Sequence, residues 1–132
     1  MKHIFLLEEQ ACFRQALARA LEREPDLEVI GQAGSLAEAR NGVPGRWRAA
    51  DVAIIGLLLP DGVGTDLIED LREVNPNLPV LVLTVLDSTE FRAWAIRMGA
   101  NELLGKKSAS ISEVIAEIRR LVGEKRLVGR TG

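Results

Sequence analysis

The chain has 132 residues, 47% hydrophobic and 27% charged, with 17 Lys and Arg against 19 Asp and Glu for a formal net charge of -2. That length suits one domain with one packed core, and the near balance of charge excludes the strongly basic surface that nucleic-acid binding uses. The single Cys12 excludes an internal disulfide, and no apolar run approaches the roughly 20 residues needed to cross a bilayer. MKHIFLL runs straight into Glu8 and Glu9, without the layout of a signal peptide, so a reducing cytoplasmic setting is expected.

Ile4 to Leu7 is a short continuous apolar run, the pattern of a strand covered on both faces of a parallel sheet. Phe13, Leu17, Ala20 and Leu21 then share one helical face, and Pro25 stops that helix. Leu27 to Ala33 is a weaker strand. Ser35 with Glu38 forms a capping box for a short second helix, which Gly42 and Pro44 end. Arg46-Trp47-Arg48 is too short and isolated for nucleic-acid contact, so Trp47 reads as a loop residue covering the second helix.

Val52 to Leu59 is the third strand. Leu67, Leu71 and Val74 mark the third helix, closed by Asn75-Pro76. Val80 to Leu86 is the fourth strand, after which Asp87 with Glu90 opens a helix that ends at Gly99. Glu102 to Leu104 is the last strand. Ser110 with Glu113 opens the fifth helix, whose apolar face is Ile111, Val114, Ile115, Ile118 and Leu121. Residues 123–132 are polar and glycine-bearing, which predicts a domain over 1–122 and then the start of a linker.

Strand and helix therefore alternate five times. This predicts a doubly wound α/β fold, a parallel sheet with helices on both faces. Ligands of such sheets bind at the carboxyl ends of the strands, beside the topological switch point. Glu8-Glu9, Gly56 to Pro60, Thr84 and Lys106 would converge there.

At these residues the chain resembles bacterial response-regulator receiver domains, in particular the NarL/FixJ-type subfamily. LLEEQACFRQALARALEREPDLEVIGQAG looks like the family's first strand, first helix and second strand, and DVAIIGLLLPDGVG like its third strand and following loop. LPVLVLT and MGANELLGKKS complete the pattern, over about residues 2–126. The resemblance implies a flavodoxin-like sheet of order 2-1-3-4-5 with five helices, and a role in two-component signal transduction or transcription regulation rather than catalysis.

Family members hold Mg²⁺ with an acidic pair, phosphorylate an Asp after the third strand, and contact the phosphoryl group with a Thr or Ser and a Lys. By position, Glu8 and Glu9 match the acidic pair, and Thr84 and Lys106 their counterparts. Gly56 falls on the phosphoacceptor, Leu103 on the aromatic switch position, and Lys107 where a proline is common. Glycine removes the nucleophile that an acyl phosphate requires. Loss of that carboxylate also weakens the octahedral oxygen set that Mg²⁺ demands. A pseudo-receiver working without aspartyl phosphorylation is expected, with no cofactor and weak or absent Mg²⁺ binding. The alternatives are a conventional switch with another acceptor, such as Asp61, and a plain dimerisation module.

Each site residue also has a structural reading. Glu8-Glu9 suits a solvated acidic turn, Lys106 a surface lysine, and Thr84 the end of a strand. An ion pair is expected between Lys106 and one of the glutamates, with Glu9 favoured. Asp51 lies at the far end of the third strand. His3 lacks a second His or a Cys for metal binding. Gly62-Val63-Gly64 and Gly99 to Ser108 fail as phosphate-binding loops. Phe91, Trp94 and Met98 make a stripe that serves either the core or a partner. The resemblance implies a homodimer through the first or fifth helix, and the lack of a long apolar run leads us to expect no membrane contact. It also implies a DNA-binding helix-turn-helix domain following residue 132, so that DNA is contacted only through that domain.

Overall fold

The computed structural model describes residues 1–42 and 44–131, with side chains up to residue 123 except those of 42 and 44. Five parallel strands form the sheet: β1 (Lys2–Leu7), β2 (Leu27–Ala33), β3 (Val52–Ile55), β6 (Val80–Thr84) and β7 (Glu102–Gly105). Their order is β2-β1-β3-β6-β7, which is the expected 2-1-3-4-5 once the two-residue strands β4 (Leu58–Leu59) and β5 (Gly62–Val63) are set aside. The helices are α1 (Ala11–Glu22), α2 (Leu36–Gly42), α3 (Pro44–Ala49), α4 (Ile68–Val74), α5 (Thr89–Arg97) and α6 (Ile111–Thr131).

Side-chain alternation along each strand builds two cores. Phe5, Leu7, Ala53, Ile55, Val80 and Val82 face one side of the sheet, with Leu36, Trp47 and Leu71 of α2 to α4. Ile4, Leu6, Val52, Ile54, Leu81 and Leu83 face the other, with Leu17 and Leu21 of α1 and Val114, Ile118 and Leu121 of α6.

The capping signals hold at two helices. Ser35 Oγ accepts from Glu38 N at 3.1 Å, and Ser110 Oγ accepts from Glu113 N at 3.1 Å. At α5 the cap is Ser88 rather than Asp87: Ser88 Oγ accepts from Phe91 N at 3.2 Å, while Asp87 accepts from Ser108 Oγ at 2.9 Å.

Two expectations require correction. Val52 to Leu59 is not one strand: β3 ends at Ile55, and β4 pairs with β5 in an antiparallel hairpin. Gly64 closes this loop, since a Cβ there would lie 1.9 Å from Gly56 O. Among the described residues there are six α-helices rather than five, because α3 carries the segment read as a loop. Trp47 is only 4% exposed and meets Phe5 edge-on with ring centroids 6.1 Å apart. The Asn75 amide then caps α3 by donating to Trp47 O at 3.0 Å and Ala50 O at 2.9 Å. The backbone after Val122 is helical to Thr131.

Candidate functional site

Chain direction reverses beside β1: the chain crosses to β2 on one side of it and to β3 on the other. Glu8 follows β1 and Gly56 follows β3, so both stand at the switch point. Glu8 N donates to Ala33 O at 2.9 Å, which carries β1's extended path one residue further. Gly56 N donates to Leu7 O at 2.7 Å, and Lys106 N donates to Thr84 O at 2.7 Å. Backbone pairing thus delivers all four segments to one cleft of about 320 Å³, with Glu8, Gly56, Thr84 and Lys106 in its lining.

Inside the cleft the charges pair. Lys106 Nζ lies 3.0 Å from Glu8 Oε2, with side chains only 12% and 7% exposed. The ammonium also donates to Gln10 Oε1 and sits 4.3 Å from the centroid of the Phe13 ring. Glu8 Oε2 accepts a further bond from Gln10 N at 2.7 Å. Lysine, glutamate and the first turn of α1 are thereby bound into one network.

Glu9, the expected partner of Lys106, is exposed instead. The reason is strand parity. Glu8 is in phase with Ile4 and Leu6, and Lys106 with Leu104, so both side chains point to the α1/α6 side of the sheet. Gln10 and Phe13 were not anticipated as partners. Their positions two and five residues after Glu8, at the start of α1, are the signal that marks them.

The remaining positions are structural in their contacts. Thr84 is buried, and its Oγ1 accepts from Leu86 N at 3.2 Å, bracing the turn after β6. Leu103 is buried in the sheet core beside its β6 register partner Val82. A Cβ on Gly56 would lie 3.3 Å from Glu8 Oε1 and 3.4 Å from Leu7 O. No cis peptide bond occurs among the described residues.

Asp61 lies on the loop after β4, and its carboxylate accepts from Leu36 N at 2.9 Å and Ala37 N at 2.8 Å. These two backbone donors hold its carboxyl below the ordinary carboxylate range. Because the folded-state value is depressed, the stabilisation is present above the unfolded value near pH 3.9 and is lost as pH falls through the folded one. Asp61→Asn is therefore expected to lower the urea midpoint at pH 6. The gap from the parent protein should shrink steadily in unfolding curves taken below pH 4. Asp51 stands at the opposite end of the sheet, accepting from His3 N at 2.7 Å.

Phe91 and Met98 are 39% and 47% exposed, so they do not serve the core, whereas Trp94 is half-buried against it. Among the described residues no helix is long and apolar enough to cross a membrane.

A five-stranded parallel sheet with an acid after its first strand, and a threonine and a lysine at the ends of its last two, defines a receiver-type signalling domain. Here Gly56 follows the third strand of that sheet. Residues 4–119 match the family model of the response regulator receiver domain, and the chain belongs to that family. It is 35% identical over 120 residues to the DNA-binding transcriptional activator DevR/DosR of Mycobacterium tuberculosis, covering 89% of this chain and 54% of that one. It is 32% identical over 115 residues to the transcriptional regulatory protein UhpA of Escherichia coli, covering 87% and 56%. The chain thus spans about half the length of these curated relatives. Among solved structures, a receiver domain from Clostridium thermocellum superposes with a TM-score of 0.84 at 22% identity, covering 97% of this chain and 99% of that one. The signal receiver domain of NarL from Mycobacterium tuberculosis gives 0.81 at 20%, covering 92% and 96%. At these identities the two structures establish the fold.

Proposed function

We propose that this receiver domain signals without aspartyl phosphorylation. The observation that carries the reading is the placement of Glu8. Its carboxylate, paired with Lys106, stands over Gly56 where an acceptor side chain would project. Gly56 offers no nucleophile, and the lysine is already met on three sides by Glu8, Gln10 and Phe13. The donor set does not fit Mg²⁺ well. One carboxylate is absent, one is held by an ammonium, and only the exposed Glu9 is left to offer its oxygens. The domain is a binding module held in one state, not an enzyme.

The test is incubation with acetyl phosphate and Mg²⁺, followed by intact mass. No gain is expected, and millimolar Mg²⁺ should leave the melting temperature unchanged. A hydroxylamine-sensitive gain of one phosphoryl group would overturn the proposal. Mapping that group to Asp61 would establish the conventional switch, although both Asp61 oxygens already accept backbone bonds.

The relatives' names support a role in regulating transcription. Self-association is part of the same reading. The beryllofluoride-activated NtrC4 receiver domain dimer, with a TM-score of 0.80 at 26% identity, supports pairing between receiver domains.

A further inference from the structure

We propose that a cavity at the amino end of the sheet, built around Arg72, is a binding site for a small oxyanion, a phosphate or a carboxylate. Arg72 lies in the last turn of α4 and lines a cavity of about 340 Å³ together with Asn77, Gly99 and Asn101. Asn101 directly precedes β7, and its N donates to Val80 O at 2.8 Å, which places the cavity where β6 and β7 begin. Glu8 and Lys106 stand at the opposite, carboxyl end of the sheet. The site is therefore separate from the cleft and does not depend on how that cleft signals.

The Arg72 guanidinium is half-buried, and each of its partners is neutral. Nε and Nη2 donate to Leu78 O at 3.3 and 3.2 Å, Nη1 donates to Gly99 O, and Nη2 donates to Asn101 Oδ1 at 2.8 Å. Among the described residues no carboxylate pairs with it. Burial alone pushes its pKa below the ordinary guanidinium value, and no acid acts in the other direction. The Lys106 ammonium, by contrast, has Glu8 against it. A cation taken partly out of water without a counter-charge is poised to take an anion.

Neutral donors stand beside that charge. Asn101 Oδ1 accepts from Arg72 Nη2 and from Val80 N, each at 2.8 Å. Only the amide oxygen can face two donors, so the orientation of the amide is fixed. Its Nδ2 keeps both hydrogens without a partner among the described residues, as does the amide of Asn77. One N–H of Arg72 Nη1 is also left over. A guanidinium flanked by amide donors matches the oxygens of a carboxylate or a phosphate. A cation would be repelled there, and an apolar molecule would leave the donors unmet. The carboxyl end of α5 offsets about half a unit charge at Arg72, and Asn77 and Asn101 are exposed to water. Affinity in the millimolar range is therefore expected.

The test is an NMR titration of the whole chain with inorganic phosphate and, separately, with acetate, using chloride at matched ionic strength as the control. One or both oxyanions are expected to shift the Gly99 and Asn101 signals saturably, with a millimolar midpoint. Which of them does so tells a tetrahedral ligand from a planar one. Asn101→Asp keeps the shape and both accepted bonds while setting a carboxylate against Arg72. It should raise the melting temperature, because the guanidinium gains its missing counter-charge. It should also weaken oxyanion binding about tenfold or more, because like charges then meet in the cavity. No saturable shift from either oxyanion, or an equal shift from chloride, would overturn the proposal. So would an Asn101→Asp protein that binds like the parent or melts no higher.

Discussion

Replacing Lys106 with methionine is expected to destabilise the domain by about 3 kcal/mol, read as a lower denaturant midpoint. Removing one partner of a buried ion pair costs about 3–5 kcal/mol, because the other charge is left uncompensated. The low end applies because the cleft opens to water on one side. Methionine keeps the apolar stem beside Phe13, so the loss reports the charge rather than the packing. Glu8 would retain only Gln10 N as a donor to its carboxylate. Glu8→Gln should cost less, since Gln10 and the Phe13 ring still face the ammonium. The double variant removes both charges and should fall short of the summed single effects by about 1–3 kcal/mol. Additive single effects, within about 0.5 kcal/mol, would show that the pair is not coupled.

Restoring the family's acid by Gly56→Asp should destabilise the domain by about 1–3 kcal/mol. The new Cβ enters 3.3 Å from Glu8 Oε1, so the neighbour has to give by a few tenths of an ångström before the carboxylate is placed. A second negative charge then shares one lysine with Glu8 in a partly dry cleft. Gly56→Ala separates the two effects. It brings the crowding alone, which the end of the Glu8 side chain can relieve, and should cost less than about 1 kcal/mol. Combining Gly56→Asp with Glu8→Gln removes the repulsion and should recover most of the loss. Unfolding curves for the three variants measure this directly. A Gly56→Asp protein as stable as the parent would show that Glu8 does not compete for the acceptor's space.

Both experiments probe a single physical fact, the placement of one carboxylate, and that fact was only half legible in the residue string. Gly56 reads as a missing nucleophile only through the resemblance to receiver domains. Lys106 announces a cation that needs a counter-charge, and the alternation of Ile4, Leu6 and Glu8 already points to the partner. The expected partner was Glu9, whose side chain has the same length as that of Glu8. Parity along β1 decides between the two, because a side chain's face is set by the backbone whatever its length.

The apolar runs, the capping residues at Ser35 and Ser110, and the stops at Pro25, Gly42 and Gly99 located the strands and nearly every helix, because these signals are local, whereas the order of the strands in the sheet was implied only by the family resemblance. What needed the tertiary structure was every feature stabilised across the chain. α3 is six residues long and owes its place to Trp47 against Phe5 and to the Asn75 amide on its last carbonyls, partners 42 and 28 residues away in sequence. The end of β3 at Ile55 depends on Gly64 closing over Gly56 O, which no periodicity within the run reveals. Likewise Phe91, Trp94 and Met98 form one stripe in sequence, yet only the neighbouring hairpin and sheet decide which of them is covered. Local pattern sets what each segment can become. Burial against distant segments decides which option is taken, since its free energy depends on apolar area brought together from all over the chain.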